Sequence, residues 1–345
     1  MKDSDYILRC LQLAEHGRYY VAPNPMVGAV LVDPVADIIV AEGWHRQYGG
    51  PHAEVECFRA ADRVMKGLTD AEQVARFGCL TLYVSLEPCS HYGKTPPCAD
   101  LIIRKGVKRV VVGCLDPNPQ VAGRGVQKLR DAGIEVTVGV EQEACRELNK
   151  RFLCLHEKHR PYVVLKWAQT ADGFMDNRCP HLQGATLNAQ PLVISTPVTK
   201  LLVHKMRAEN MAIMVGTRTA LMDNPGLLTI RWPGRNPIRV VTDRHHRIPA
   251  DAKIFSPDAP TIVYDGQTDW QYVLTDLAGR GIHSVLVEGG PTLLNHILDT
   301  KIWDEMHIEV SAQTIGSGVT APQVNLPDTC DEIQGAKLYT IYNLH

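Results

Sequence analysis

Along residues 1–148, apolar positions switch repeatedly between helical spacing and the short unbroken runs of buried strands. Ile7, Leu8, Leu11 and Ala14 make one apolar face of a helix over 5–16, and Gly17 suits the position after its end. A strand-like run at 27–32 is followed by a helix over 53–66. Runs 80–86 and 107–113 read as buried strands. They flank a helix over 96–105, for which Thr95 is a good N-cap and Pro96 a good first residue. A short helix over 125–133 and a strand over 134–140 complete this half. Strands alternating with helices predict a layered α/β domain with a largely parallel sheet.

The periodicity lapses over the charged stretch 141–160, which places a boundary near 148 and divides the chain into 1–148 and 149–345. Beyond it the pattern restarts. Strands are predicted at 162–168, 211–215, 238–242, 261–264, 284–287 and 306–311. Helices are predicted at 196–208, with Pro197 in the first turn, and at 291–299. This is a second α/β domain.

The length agrees with two domains, since 345 residues at roughly 100–200 residues each favour two over one. Charge changes the picture more. Lys and Arg number 36 against 38 Asp and Glu, and the balance holds within each half. A nucleic-acid binder shows a basic excess and stacking aromatics, yet aromatics are only 6% of this chain, so no nucleic-acid partner is expected. No stretch approaches the ~20 apolar residues of a membrane span, and the start Met1-Lys2-Asp3-Ser4 lacks the apolar core of a signal peptide. A cytoplasmic protein with reduced cysteines is the expectation, with no membrane partner. Enzymes of this size commonly assemble symmetrically, so a homo-oligomer is expected.

Three pieces carry chemistry: Pro51-His52-Ala53-Glu54, Glu87-Pro88-Cys89 and Pro97-Cys98. One imidazole and two thiolates suit a catalytic zinc that keeps a fourth position open. His52 and Cys98 each fall at a predicted helix start, where the positive end of the helix dipole favours thiolate. Glu54, two residues beyond His52, is placed to take a proton from the attacking water and pass it to a leaving group. His-x-Glu followed by Pro-Cys marks zinc nucleobase deaminases, whose two cysteines usually lie two residues apart; here eight separate them. The other cysteines, at 10, 57, 79, 114, 145, 154, 179 and 330, read as small core residues.

With these residues assembled, the chain resembles the bifunctional riboflavin-biosynthesis deaminase/reductase family over almost its whole length. Beside the zinc motifs, the resemblance rests on Pro23-Asn24-Pro25-Met26-Val27-Gly28 and the run from Glu87 to Cys98, whose eight-residue gap is the family's own spacing. It rests also on Asp116-Pro117-Asn118-Pro119 through Gly125. The resemblance implies a cytidine-deaminase-like three-layer α/β domain followed by a dihydrofolate-reductase-like α/β domain. It further implies zinc at His52, Cys89 and Cys98, Glu54 as proton shuttle, and phosphorylated aminopyrimidine substrates. Asn24, His45, Asp116 and Asn118 would recognise the heterocycle, although Asn and Asp beside proline also simply make turns. Lys94, with Ser90 and Thr95, would meet the phosphate.

The second half is less explicit. Val287-Glu288-Gly289-Gly290-Pro291-Thr292 is a strand, a glycine pair and a helix start, equally a phosphate cradle or a tight turn. The resemblance implies a reductase using NADPH. It places Thr219, Asp223 and the run Gly290, Pro291, Thr292, Leu293, Leu294, Asn295, His296 at the cofactor. It places Lys166, Arg207, Leu228, Arg231 and Glu288 at the substrate. Arg244 or Arg247 would bind the 2′-phosphate that distinguishes NADPH from NADH. Val193 and Gln169 stand where the family commonly has tryptophan and alanine, and one extra residue lies between Asp223 and Leu228. These departures keep an alternative open, a zinc deaminase with a non-catalytic C-terminal ligand-binding domain.

Overall fold

The computed structural model describes residues 1–92, 96–118, 122–178, 192–266 and 269–343, and the chain divides into two units, Met1–His159 and Arg160–His345. The first unit begins with α1 (Asp3–Ala14), β1 (Gly28–Asp33), β2 (Ile38–Trp44), α2 (Ala53–Val64), α3 (Asp70–Phe77) and β3 (Thr81–Leu86). It continues with α4 (Cys98–Lys105), β4 (Arg109–Cys114), α5 (Arg124–Asp131), β5 (Glu135–Val138), α6 (Gln142–Leu148) and α7 (Lys150–Lys158).

β1 and β3 are buried at every residue, as strands covered on both faces must be. One face packs Phe58, Phe77, Leu82, Ile102 and Leu129; the other packs Ile7, Leu13, Val30, Tyr83 and Val111. Helices therefore sandwich the sheet, whose order is β2-β1-β3-β4-β5. The sheet is mixed rather than largely parallel. β1 pairs antiparallel with both β2 and β3, while β3–β4 and β4–β5 are parallel. The hairpin partner β2 escapes a reading by buried runs because its first residues, Ile38 and Ile39, lie at the exposed sheet edge.

Two boundaries differ from expectation for physical reasons. Helix α4 starts at Cys98 with Pro97 as its N-cap, because a residue preceding proline, here Pro96, is driven out of the helical region. The stretch over 141–160 is α6 and α7 rather than a linker, and it belongs to the first unit. Cys145 is buried in the core, and the Asn149 side chain accepts from the Met26 amide at 2.8 Å and donates to the Met26 carbonyl at 2.9 Å. The division thus falls after His159.

The second unit runs β6 (Tyr162–Gln169), β7 (Phe174–Asp176), α8 (Pro197–Glu209), β8 (Ala212–Gly216), α9 (Thr217–Asp223), β9 (Ile238–Thr242) and β10 (Thr261–Tyr264). It ends with α10 (Trp270–Gly279), β11 (Ser284–Val287), α11 (Pro291–Thr300), β12 (Glu305–Val310), β13 (Val319–Thr320), β14 (Asp331–Ile333) and β15 (Ala336–Tyr342). Its eight-stranded sheet has the order β10-β9-β8-β11-β6-β12-β15-β14. Every pairing from β10 to β12 is parallel, and β15 and β14 add antiparallel strands at the end. Trp167, Trp270, Leu274 and Leu294 centre its own core.

The start of α2 is held by backbone-to-backbone packing on β2. A Cβ at Gly43 would overlap the Cys57 amide nitrogen and lie 2.6 Å from the Ala53 carbonyl oxygen, so only glycine lets the strand and helix approach this closely. Gly43→Ala should destabilise the chain by about 1–3 kcal/mol, as overpacking does. Urea unfolding of the full chain measures it, and an unchanged midpoint would contradict the contact.

Candidate active sites

In the first unit three segments deliver His52, Cys89 and Cys98 to one point. His52 is the N-cap of α2, Cys89 follows β3, and Cys98 opens α4. Their ligand atoms all lie within 4.8 Å of one another. His52 Nδ1 stands 3.7 Å from Cys89 Sγ and 3.4 Å from Cys98 Sγ. A tetrahedral zinc with its usual bond lengths to sulfur and imidazole nitrogen requires N···S separations of about 3.6 Å, so the trio fits that ion. The helix start acts on Cys89: the Cys98 amide donates to Cys89 Sγ at 3.3 Å. A hydrogen bond from the Cys98 thiol is the largest influence holding the Cys89 thiol well below its ordinary range, and in return Cys98 is pushed up.

Glu54 is buried, 3% exposed. Burial pushes its carboxyl above the usual value while His52 pulls the other way, which suits a group that must both take and give a proton. His45, also buried, is held below the ordinary imidazole range, first by burial and then by its neighbour His52, against the Pro51 carbonyl. Neutral His45 donates from Nδ1 to the Pro51 carbonyl at 2.8 Å and accepts at Nε2 from the Asn24 amide at 3.1 Å. Asp116 makes a turn, accepting from the Asn118 amide at 2.8 Å, so the turn-forming role is real. Ser90 is half-buried beside Cys89. Lys94 and Thr95 lie outside the described residues.

The second unit holds a cavity of about 760 Å³, within the size range of small-molecule sites. Gly216, the N-cap of α9, and Gly290, the N-cap of α11, both line it, so two helix N-termini offer backbone amides to phosphates. A Cβ at Gly289 would lie 2.8 Å from Leu293 Cδ2; the glycine pair therefore keeps this wall open. Lys166, Thr219, Asp223, Arg247 and Glu288 line the cavity, as do Pro291, Thr292, Leu293 and His296. Leu294 does not, being fully buried in the core, and Asn295 also turns away. A helix advances 100° per residue, so a continuous run cannot share one face. Arg244 is exposed and outside the wall. These features fit a dinucleotide.

At the cavity floor Arg207 grips Glu288 with two hydrogen bonds, 2.9 Å and 2.7 Å, and donates to the Leu228 carbonyl at 3.2 Å. Its fork is occupied by Glu288, so it orients that carboxylate. Burial pushes Glu288 up, but Arg207, Lys166 and His204 outweigh it and hold the carboxyl below its usual value. Burial likewise lowers the Lys166 ammonium, against Glu288 and Glu309. Arg231 is exposed and is not among the residues lining the cavity. The extra residue falls in a turn where Asn224 and Leu227 both take positive φ.

The comparisons with known proteins now bear on both halves. The RibD C-terminal domain family model matches residues 161–341, and the cytidine and deoxycytidylate deaminase zinc-binding region matches residues 1–114. The riboflavin biosynthesis protein RibD of Aquifex aeolicus is 37% identical over 341 residues, covering 92% of this chain and 89% of that protein. The chain belongs to the RibD family. The RibD of Escherichia coli is 34% identical, with 92% and 89% covered. A crystal structure from Thermotoga maritima, titled as a diaminohydroxyphosphoribosylaminopyrimidine deaminase/5-amino-6-(5-phosphoribosylamino)uracil reductase, superposes with a TM-score of 0.84 at 34% identity. It covers 99% of this chain and 98% of that one. RibD of Acinetobacter baumannii gives the same TM-score and coverage at 30% identity.

RibD membership makes this chain a bifunctional deaminase and reductase of riboflavin biosynthesis, with zinc in the cytidine-deaminase-like unit and NADPH in the dihydrofolate-reductase-like unit. A non-catalytic second half is not favoured. Within this chain, two residues escaped the sequence reading. Arg178 bridges Asp176, at 2.8 Å, and Asp223, at 2.5 Å, at the cavity rim, and no motif flags it. Buried Glu309 accepts from Ser195 at 2.6 Å and Thr199 at 2.7 Å, fixing the start of α8. Its signal is an acid between Ile308 and Val310 in a buried strand. The two departures are also explained: Gln169 accepts the Trp167 indole N–H at 2.8 Å, and Val193 lines the cavity, its carbonyl bonded to Gln313 at 3.1 Å.

Proposed function

We propose that the chain deaminates 2,5-diamino-6-(5-phosphoribosylamino)pyrimidin-4-one to 5-amino-6-(5-phosphoribosylamino)uracil and then reduces the ribosyl group to ribityl. The observation that carries this reading is the pairing, in one chain, of a His52/Cys89/Cys98 trio beside buried Glu54 with a dinucleotide-sized cavity floored by Lys166 and Glu288. In the first step water replaces the exocyclic amine and ammonia leaves. His52 Nδ1 and the two sulfurs would hold a zinc ion, which would supply a bound water of lowered pKa. Glu54 takes the water proton and returns it to the departing nitrogen. Asn24, held by neutral His45, orients the ring together with Asp116 and Asn118. Ser90, Lys94 and Thr95 receive the phosphate.

In the second step NADPH supplies a hydride to C1 of the opened ribosylamine when bound. The chain's part is placement. Arg207 fixes Glu288, Lys166 faces the substrate across from it, and Leu228 and Arg231 complete that side. The α9 and α11 amides, Thr219 and Gly290–Leu293 hold the dinucleotide, and Arg178 keeps Asp223 in place. Arg247 lines the cavity, its guanidinium without a hydrogen-bond or ion-pair partner among the described residues, and so serves the 2′-phosphate. Asp243 presents it by accepting from the Arg247 and Ile248 amides at 3.1 and 2.9 Å.

We also propose a cytoplasmic homo-oligomer. The free thiols suit a reducing compartment, and among the described residues no helix is long and apolar enough to cross a membrane. Sedimentation velocity showing only monomer at micromolar concentration would refute the assembly.

Glu54→Ala should lower deaminase kcat by about 10²–10⁴-fold, the usual worth of a general acid–base group, with zinc content and reductase activity retained. Deamination at the wild-type rate would remove Glu54 from its role. Arg247→Ala should raise KM for NADPH by about tenfold or more, as loss of a charge-assisted hydrogen bond does, and leave NADH-supported reduction unchanged. Equal effects on both cofactors would contradict the 2′-phosphate assignment.

A further inference from the structure

We propose that Glu87 is a positioning residue that ties the substrate-recognition segment of the deaminase site to the metal turn. Its carboxylate is buried, 4% exposed, and no Lys, Arg or His pairs with it among the described residues. It is satisfied by backbone amides instead. One oxygen accepts from Asp116 at 3.2 Å and from Gly123 at 2.9 Å; the other accepts from Val126 at 3.1 Å. Gly123 is the N-cap of α5 and Val126 stands in its first turn, so the negative charge also faces the positive end of that helix. The inference rests on the deaminase reading above.

The placement says more than helix capping. Gly123 takes φ +74°, a conformation that disfavours a capping Ser or Asp, so the chain reaches the α5 amides with a carboxylate from the end of β3 instead. Glu87 is two residues before the ligand Cys89, and its own amide donates to the Cys114 carbonyl at 2.9 Å, two residues before Asp116. A continuous path of bonds therefore runs from the Cys89 turn through the Glu87 carboxylate to the Asp116 amide. It continues from the Asp116 carboxylate to the Asn118 amide at 2.8 Å. The contact is close-built: a Cβ on Gly125 would overlap the Pro88 carbonyl oxygen and lie 3.2 Å from Glu87 Oε1. Glu87 thereby sets how far Asp116 and Asn118 stand from the zinc ligands and Glu54.

The test is steady-state kinetics of the full chain with zinc loaded. Glu87→Gln keeps the shape but turns an NH2 toward at least one of the three N–H donors. KM for the aminopyrimidine should rise about tenfold, with deaminase kcat, zinc content and reductase activity within twofold of wild type. In an Asn118→Ala background the same substitution should add little further to KM, because both act through one segment. Gly125→Ala, which keeps the carboxylate's chemistry but pushes the α5 start away from Glu87 and the Pro88 carbonyl, should reproduce the KM effect with zinc retained and replaces Glu87→Gln if that variant does not fold. An unchanged KM in Glu87→Gln overturns the proposal. So does a loss of zinc and kcat at constant KM, which would make Glu87 a support of the metal turn alone, or a full additive effect in the Asn118→Ala background. A wild-type chain inert on the aminopyrimidine sinks the deaminase reading itself; an active wild type with an indifferent variant sinks only the role of Glu87.

Discussion

Much in this chain depends on how a buried charge is held. A carboxylate or ammonium removed from water is costly unless partners surround it, and each site spends its polar groups on that problem. In the first unit two helix starts, those of α2 and α4, converge on the end of β3, so that amides and dipoles face the cysteine sulfurs. In the second unit the Arg207 fork and the Lys166 ammonium keep Glu288 ionised under the cavity. The sheets exist to bring those groups to the strand ends, and the close backbone packing at Gly43 serves the same end.

This constraint explains which parts were legible in the sequence. The zinc trio and Glu54 are readable because each piece has a local mark: apolar periodicity and proline place a helix start within two residues of Cys98, and an offset of two separates His52 from Glu54. The central strands, such as β3 and β11, are readable as unbroken apolar runs. Glu309 and Arg178 were not, because what defines them is a partner far along the chain, Thr199 for one and Asp223 for the other. Antiparallel β2 was missed for a related reason: an edge strand carries little hydrophobic signal, and its pairing is fixed by the β1 hairpin.

Arg207 shows the same limit from the other side. Taken alone, an arginine near a phosphate-binding reductase site invites the reading that it binds phosphate, and the resemblance supports substrate contact. The structure turns its fork onto Glu288 and the Leu228 carbonyl, which makes it a support for other groups. The helix starting at Pro291 gives a smaller version of this lesson, since Leu294 belongs to the core although its neighbours face the cavity.

The division of the chain after His159, with separate cores on either side, has a consequence for the economy of the cell. Two consecutive activities encoded in one polypeptide are synthesised, diluted and degraded together, so their ratio is one to one at every expression level. No regulation is needed to match the supply of the intermediate to the capacity that consumes it. Any imbalance between the two steps must then be corrected by turnover number, through changes confined to one unit, rather than by abundance.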